Sequence, residues 1–161
     1  MVNQKTAVAL TGRSGEELEE YKKLLLKLNN EVVAAAPEDL LINTHVCRGN
    51  YHSTFFSSGA YDSVAELLFG EENVNAYYLE YDDERSGGFA PLAKVTGDKK
   101  VVLGLITTKT PELEDREKVI NRIHQAAKYI PLDRLYLSPQ CGFASCEIGN
   151  KLTEEEQWEK L

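Results

Sequence analysis

The sequence predicts an α/β fold built from four parallel β/α units. Three observations carry this: four short runs rich in Leu and β-branched residues, helix-like segments between them, and the strong apolarity of the central run at 101–107. Strands separated by helices pair in parallel through right-handed crossovers. A complete eightfold barrel takes ~250 residues. The chain has 161, enough for about half of one. A small open four-stranded sheet is the alternative.

The elements follow in order. Ser14-Gly15-Glu16-Glu17 reads as a capping box, Ser14 accepting from the helix start and Glu17 reaching back. Leu18, Tyr21, Leu25, Leu28 and Val32 then recur at spacings of three and four, predicting one buried stripe on a helix that ends before Pro37. A strand is expected over 40–47. Ser63 with Glu66 caps a short helix through Phe69, which Gly70 ends. Strands are expected over 75–80 and 101–107. A helix over 114–129 carries Val119, Ile120, Ile123 and Ala127 on one face and stops at Pro131, with His124 on the solvated side. A shorter strand spans 135–137, and Thr153 with Glu156 opens a last helix.

No linker or repeat divides the chain, so residues 1–161 are expected to form a single partial domain. Hydrophobic residues make up 42% and charged residues 27%, enough apolar content for a real core. Acidic residues outnumber basic ones 26 to 18, and a net charge of -8 argues against a nucleic-acid partner. No apolar run approaches the ~20 residues of a membrane helix, so no membrane partner is expected. The N-terminus lacks the apolar stretch of a secretory leader. Three cysteines without a framework argue against disulfides. Reduced thiols and a cytoplasmic location are therefore expected.

Chemistry concentrates at the expected C-terminal ends of the strands. His45 and Cys47 stand two apart on the first strand, so both side chains point to one face. Glu80 ends the second strand, and Cys141 follows the fourth. In a parallel α/β sheet or barrel these ends are neighbours and hold the active site. Imidazole and thiolate are the preferred ligands of zinc. The spacing is weakly specific, and a satisfied core histidine with small hydrophobic cysteines is the bland alternative. Position at the strand ends is what favours a metal.

Three motifs, His45-Val46-Cys47-Arg48-Gly49-Asn50, Tyr78-Leu79-Glu80-Tyr81-Asp82 and Leu137-Ser138-Pro139-Gln140-Cys141-Gly142-Phe143, occur in this order. Together they resemble the C-terminal catalytic barrel of cobalamin-independent methionine synthase, in its shorter, methionine-synthase-II-like branch. The resemblance runs from about Lys5 to Leu161. It implies the second half of a (β/α)8 TIM barrel, with His45, Cys47, Glu80 and Cys141 as zinc ligands. It also implies methyl transfer from methyltetrahydrofolate to the thiol of homocysteine, giving methionine. Zinc held by two thiolates, an imidazole and a carboxylate would favour the thiolate form of an arriving thiol. Glu80, the hardest donor, is expected to be the catalytic ligand that the substrate sulfur displaces. Arg48 and Asn50 are expected to orient ligands or bind substrate, and Asp82 and Asp83 to meet the substrate amine, to bind magnesium or to form a solvated loop.

Two departures from the family pattern stand out. Better-known members carry a histidine, assigned as general acid, after the third of these strands; the stretch 105–110 has none, and His52 is the nearby histidine. The family's first half-barrel has no counterpart in this chain, which reads as a fragment. An uncovered half-barrel is expected to associate with a second copy or a complementary half. Cys146 reads as a free loop cysteine. The alternatives are a catalytically incomplete zinc-binding remnant, or an alkyltransferase acting on another thiol of the coenzyme M type.

Overall fold

The structure, a computed structural model, describes residues 3–161; Met1 and Val2, the start of the stretch read above for a leader, lie outside the described residues. The element order is α1 (Gln4–Thr11), α2 (Gly15–Ala34), β1 (Asn43–Val46), α3 (Ala65–Glu71), β2 (Ala76–Glu80), β3 (Lys100–Ile106), α4 (Arg116–Ala126), β4 (Leu135–Pro139) and α5 (Glu154–Lys160), with short 3-10 turns between. The four strands form one parallel sheet in the order β1-β2-β3-β4. When every neighbour is the next strand in sequence and every crossover is right-handed, all connections fall on one face. That is the winding of a barrel, and the fold is the second half of a (β/α)8 barrel.

Strand alternation then sorts the residues. Tyr77, Leu79 and Tyr81 from the β2 run and Val101, Leu103 and Leu105 from β3 join Tyr61, Phe69, Leu92, Ala126 and Ile130 in one core under the crossovers. The opposite face, the barrel interior, is open: Tyr78 is 41% and Tyr136 53% exposed.

Several local expectations need correction. Of the predicted α2 stripe only Leu18 is buried, while Leu28 is 47% and Val32 73% exposed. The helix turns a different face to α3: Asn29 donates to Glu72 Oε1 at 3.2 Å, Asn30 donates to the Glu71 carbonyl at 2.9 Å, and Val33 packs on the core. Ser14 caps α2 by position without a side-chain hydrogen bond. Helix α1, which the sequence reading missed, starts on an Asn3 cap that accepts from Thr6 N–H at 3.0 Å. β1 starts three residues later than expected, since Leu40 and Leu41 stay exposed after the turn at 38–39 and the Ile42 N–H donates to the Asn75 side chain at 2.7 Å. Gly70 lies inside α3 instead of ending it. Between β2 and β3 no α-helix forms; Gly87, Gly88 and Pro91 break that stretch into 3-10 turns. Phe89, Leu92 and Val95 fill the core there instead. The capping box of Thr153 and Glu156 on α5 is formed as expected.

Candidate metal centre

His45, Cys47 and Cys141 converge at the C-terminal rim, their ligand atoms all within 4.8 Å of one another. They form the sole such group of three or more metal-binding side chains among the described residues. His45 sits on β1 beside Tyr78 of β2, and its Nδ1 lies 3.1 Å from the Tyr78 carbonyl. A carbonyl can only accept, so Nδ1 donates to it, and Nε2 faces the sulfurs. That Nε2 lies 3.3 Å from Cys141 Sγ.

The loop after β1 is held tightly. Gly49 has φ +101°, and a Cβ there would lie 2.8 Å from Phe56 N, so only glycine fits. Phe56 and Ser57 N–H both donate to the Arg48 carbonyl, at 2.8 and 3.0 Å. Asn50 donates to the Gly142 carbonyl at 2.7 Å and to Ser145 Oγ at 2.6 Å, tying the Cys47 loop to the Cys141 loop. Asn150 donates to Asn50 Oδ1 at 3.0 Å and to the Thr108 carbonyl at 2.7 Å, which joins a third loop. Sequence reasoning missed Asn150, because nothing local marks a side chain whose partners lie 42 and 100 residues away.

Glu80 is fully buried at the end of β2, outside the close group of three. Its Oε2 accepts from Arg48 N–H at 2.9 Å. Its Oε1 lies 3.3 Å from Arg85 Nη2 as an ion pair, yet no hydrogen bond of sound geometry reaches it. Burial pushes this carboxyl up, against the Arg48 N–H, Lys109 and Arg85, which favour its charge. Between the cysteines one proton is shared unequally: hydrogen bonds from Cys141 and then His45 push Cys47 down to about 3. The same contact with Cys47, followed by burial, pushes Cys141 up. The Cys47 sulfur in turn holds the His45 imidazole above its usual range.

The remaining predicted residues divide. Arg48 is 1% exposed, and its guanidinium donates to the Gly59 carbonyl at 2.8 Å and to Tyr61 Oη at 3.0 Å, so it braces the loop from within. Asp82 and Asp83 are both engaged by Arg85, at 3.2 and 2.7 Å, and Arg85 stacks over Phe55. His52 lies against the Gly149 carbonyl at 3.1 Å, and Cys146 lies outside the metal-binding group. His124 is exposed, as the helical pattern indicated.

A family model described as "Cobalamin-independent synthase, Catalytic domain" matches residues 19–154. The chain belongs to the cobalamin-independent methionine synthase family. Among its relatives, the Bacillus subtilis protein YxjG, itself uncharacterized, is 51% identical over 148 residues, 91% of this chain and 39% of its own length. YxjH of the same organism is 52% identical over the same share. A Pyrococcus horikoshii methionine synthase is 23% identical over 63% of this chain and 26% of its own length. Among solved structures, a Listeria monocytogenes protein assigned as a vitamin-B12-independent methionine synthase superposes with a TM-score of 0.68 at 38% identity, covering 92% of this chain and 39% of that one. A B12-independent methionine synthase from Shewanella, solved with selenomethionine, shares the fold at a TM-score of 0.67 and 20% identity. The chain thus spans about two fifths of the length of these Bacillus subtilis relatives. No helix among the described residues is long and apolar enough to cross a membrane.

Proposed function

We propose that this chain carries the zinc-binding part of a methyltransferase that moves a methyl group from methyltetrahydrofolate to the thiol of homocysteine, forming methionine. The observation that carries the reading is one imidazole and two sulfurs gathered on the functional rim of a barrel fold. The donor set fits zinc. Two thiols and a histidine with its second nitrogen tied to a carbonyl are what this ion takes, and the buried Glu80 Oε1 beside them lacks a hydrogen bond. His45, Cys47 and Cys141 would hold the ion, with Glu80 as the ligand that gives way to substrate. When bound, zinc supplies Lewis acidity that keeps an acceptor thiol ionised at neutral pH.

The other residues serve the site as this chain arranges it. Tyr78 orients His45, and the Arg48 N–H and Arg85 steer Glu80. Asn50 holds the two cysteine loops together. Asp82, Asp83 and Asn50 are proposed contacts of the bound amino acid, the two aspartates exchanging part of their pairing with Arg85 for its ammonium. Arg48 is a positioning residue. The open barrel face is proposed to be covered by a second copy or by a complementary half-barrel, and the site of action to be the cytoplasm.

Metal analysis of the purified chain tests this. About one zinc per chain, lost in Cys47→Ala and in Cys141→Ala, together with homocysteine-dependent methyl transfer, is the expected result. A folded chain that takes up no zinc refutes it. Zinc without transfer from any donor would instead favour a metal-binding remnant.

A further inference from the structure

Buried polar atoms without partners mark where a fold leaves room for something else, because each costs about 1–3 kcal/mol when unmet. Among the described residues such atoms include Glu80 Oε1 at the end of β2, Lys109 Nζ after β3 and Gln140 Nε2 after β4. The first belongs to the metal centre. The other two are donors. Lys109 is 8% and Gln140 1% exposed. Gln140 cannot swing freely, since its Oε1 accepts from Thr108 N–H at 3.0 Å and from Thr108 Oγ1 at 2.6 Å. Lys109 follows β3, the strand that lies between β2 and β4 in the sheet, so it stands between the loop that follows Glu80 and the loop that carries Cys141. Two other cations near this rim are already committed, Arg85 to Glu80, Asp82 and Asp83, and Arg48 to the Gly59 carbonyl and Tyr61 Oη. His52 is engaged with the Gly149 carbonyl.

We propose that Lys109 is a catalytic residue that meets the leaving group of the methyl donor and hands it a proton, with the Gln140 amide as a second donor beside it. The inference rests on the methyl-transfer reading above and assigns a residue that the reading lacked. The acceptor thiol first loses its proton to solvent. Its sulfur then forms a bond to the methyl carbon as the carbon–nitrogen bond of the donor breaks. The electron pair of that bond passes to nitrogen, which takes a proton from the Lys109 ammonium, and water reprotonates the lysine. Thiol and tertiary amine become thioether and secondary amine, with no net oxidation. Without a proton the nitrogen would have to leave as an anion, so a buried, unpaired cation has a large effect there.

Donor choice separates this role from a structural one. A sulfonium donor such as S-methylmethionine leaves as a neutral thioether and needs no proton. With zinc-loaded chain and homocysteine, Lys109→Met is expected to slow transfer from methyltetrahydrofolate by about 10²–10⁴-fold. Transfer from S-methylmethionine should slow at least ten times less. Equal losses with both donors, or none with the folate, overturn the assignment. If the wild-type chain turns over neither donor, tetrahydrofolate binding followed by pterin fluorescence decides. A weakening of about tenfold or more in Lys109→Met supports the role, and equal binding, or none to the wild type, overturns it. Zinc content and the homocysteine response of the zinc sulfur shell judge the metal centre separately, and both should survive in Lys109→Met.

Discussion

The two faces of the sheet differ in almost every physical respect although the same strands build both. On the helix-covered side, alternate residues of β2 and β3 are sealed in an aromatic and aliphatic core, in which Tyr61 packs tilted on Phe69 and Tyr81 at 5.8 and 5.2 Å and Phe69 packs edge to face on Tyr77 at 5.1 Å. On the interior side the intervening positions include His45, Tyr78, Glu80 and Gly104, polar or small, and Tyr78 stays open to solvent. One face is packed into the core and the other carries the candidate metal ligand His45 and the buried Glu80. The period of two lets each be altered with limited damage to its neighbour.

The largest expected effect falls on the covered face. Leu103 is fully buried, and Leu103→Ala should cost about 2–5 kcal/mol of unfolding free energy. Its zinc stoichiometry, measured below the unfolding transition, should stay at the wild-type value. A proportional loss of zinc would show that the two faces are coupled.

Next comes Gly104, where the faces meet. A Cβ there would lie 2.7 Å from both the Leu79 carbonyl oxygen and Gln140 Cα. The β3–β4 register shifts at this point, bringing the Gln140 backbone close. Gly104→Ala should push the Cys141 loop outward and weaken zinc binding by about 10–100-fold, the range for displaced support of a ligand. Competition with a chelator measures it.

A smaller effect lies at the junction of α2 and α3. Burial raises the Glu72 carboxyl above its ordinary value of 4.5, outweighing the Asn29 hydrogen bond. The folded chain therefore keeps this proton at a pH where the unfolded chain has released it. Stability is thus lost as pH rises from 4.5 through the raised value. Glu72→Gln should remove that part of the slope and raise the denaturation midpoint at neutral pH, with zinc binding unchanged. The smallest change in stability belongs to the open face: Tyr136→Ser, at a residue 53% exposed, should shift it by less than about 0.5 kcal/mol. Sedimentation should show weaker self-association if copies meet across that face.

The division between faces also explains what the sequence made legible. His45 faces the barrel interior because a strand alternates, and Cys141 comes near it because parallel strands end together; Cys47 stands one residue past the end of β1, so its place beside them is set by the loop and not by the strand period. The stripe on α2 did not follow, because periodicity reports an apolar face without saying which face a neighbour will take. Asn29 and Asn30 decide that docking through contacts 41–43 residues distant. Helix α1 hid behind a weak apolar pattern and an asparagine cap. In the sequence Lys109 is one residue of a stretch without histidine, and its burial and unpartnered Nζ are tertiary features that no local pattern encodes.

The proposed site has His45, Cys47 and Cys141 holding one exchangeable zinc. Zinc-edge absorption of the metal-loaded chain, recorded with and without homocysteine, reads this at the metal itself. Two sulfur neighbours should become three when homocysteine is added, with loss of a light-atom ligand. A sulfur count that does not change, or scattering that lacks two sulfurs from the outset, refutes the proposed zinc site.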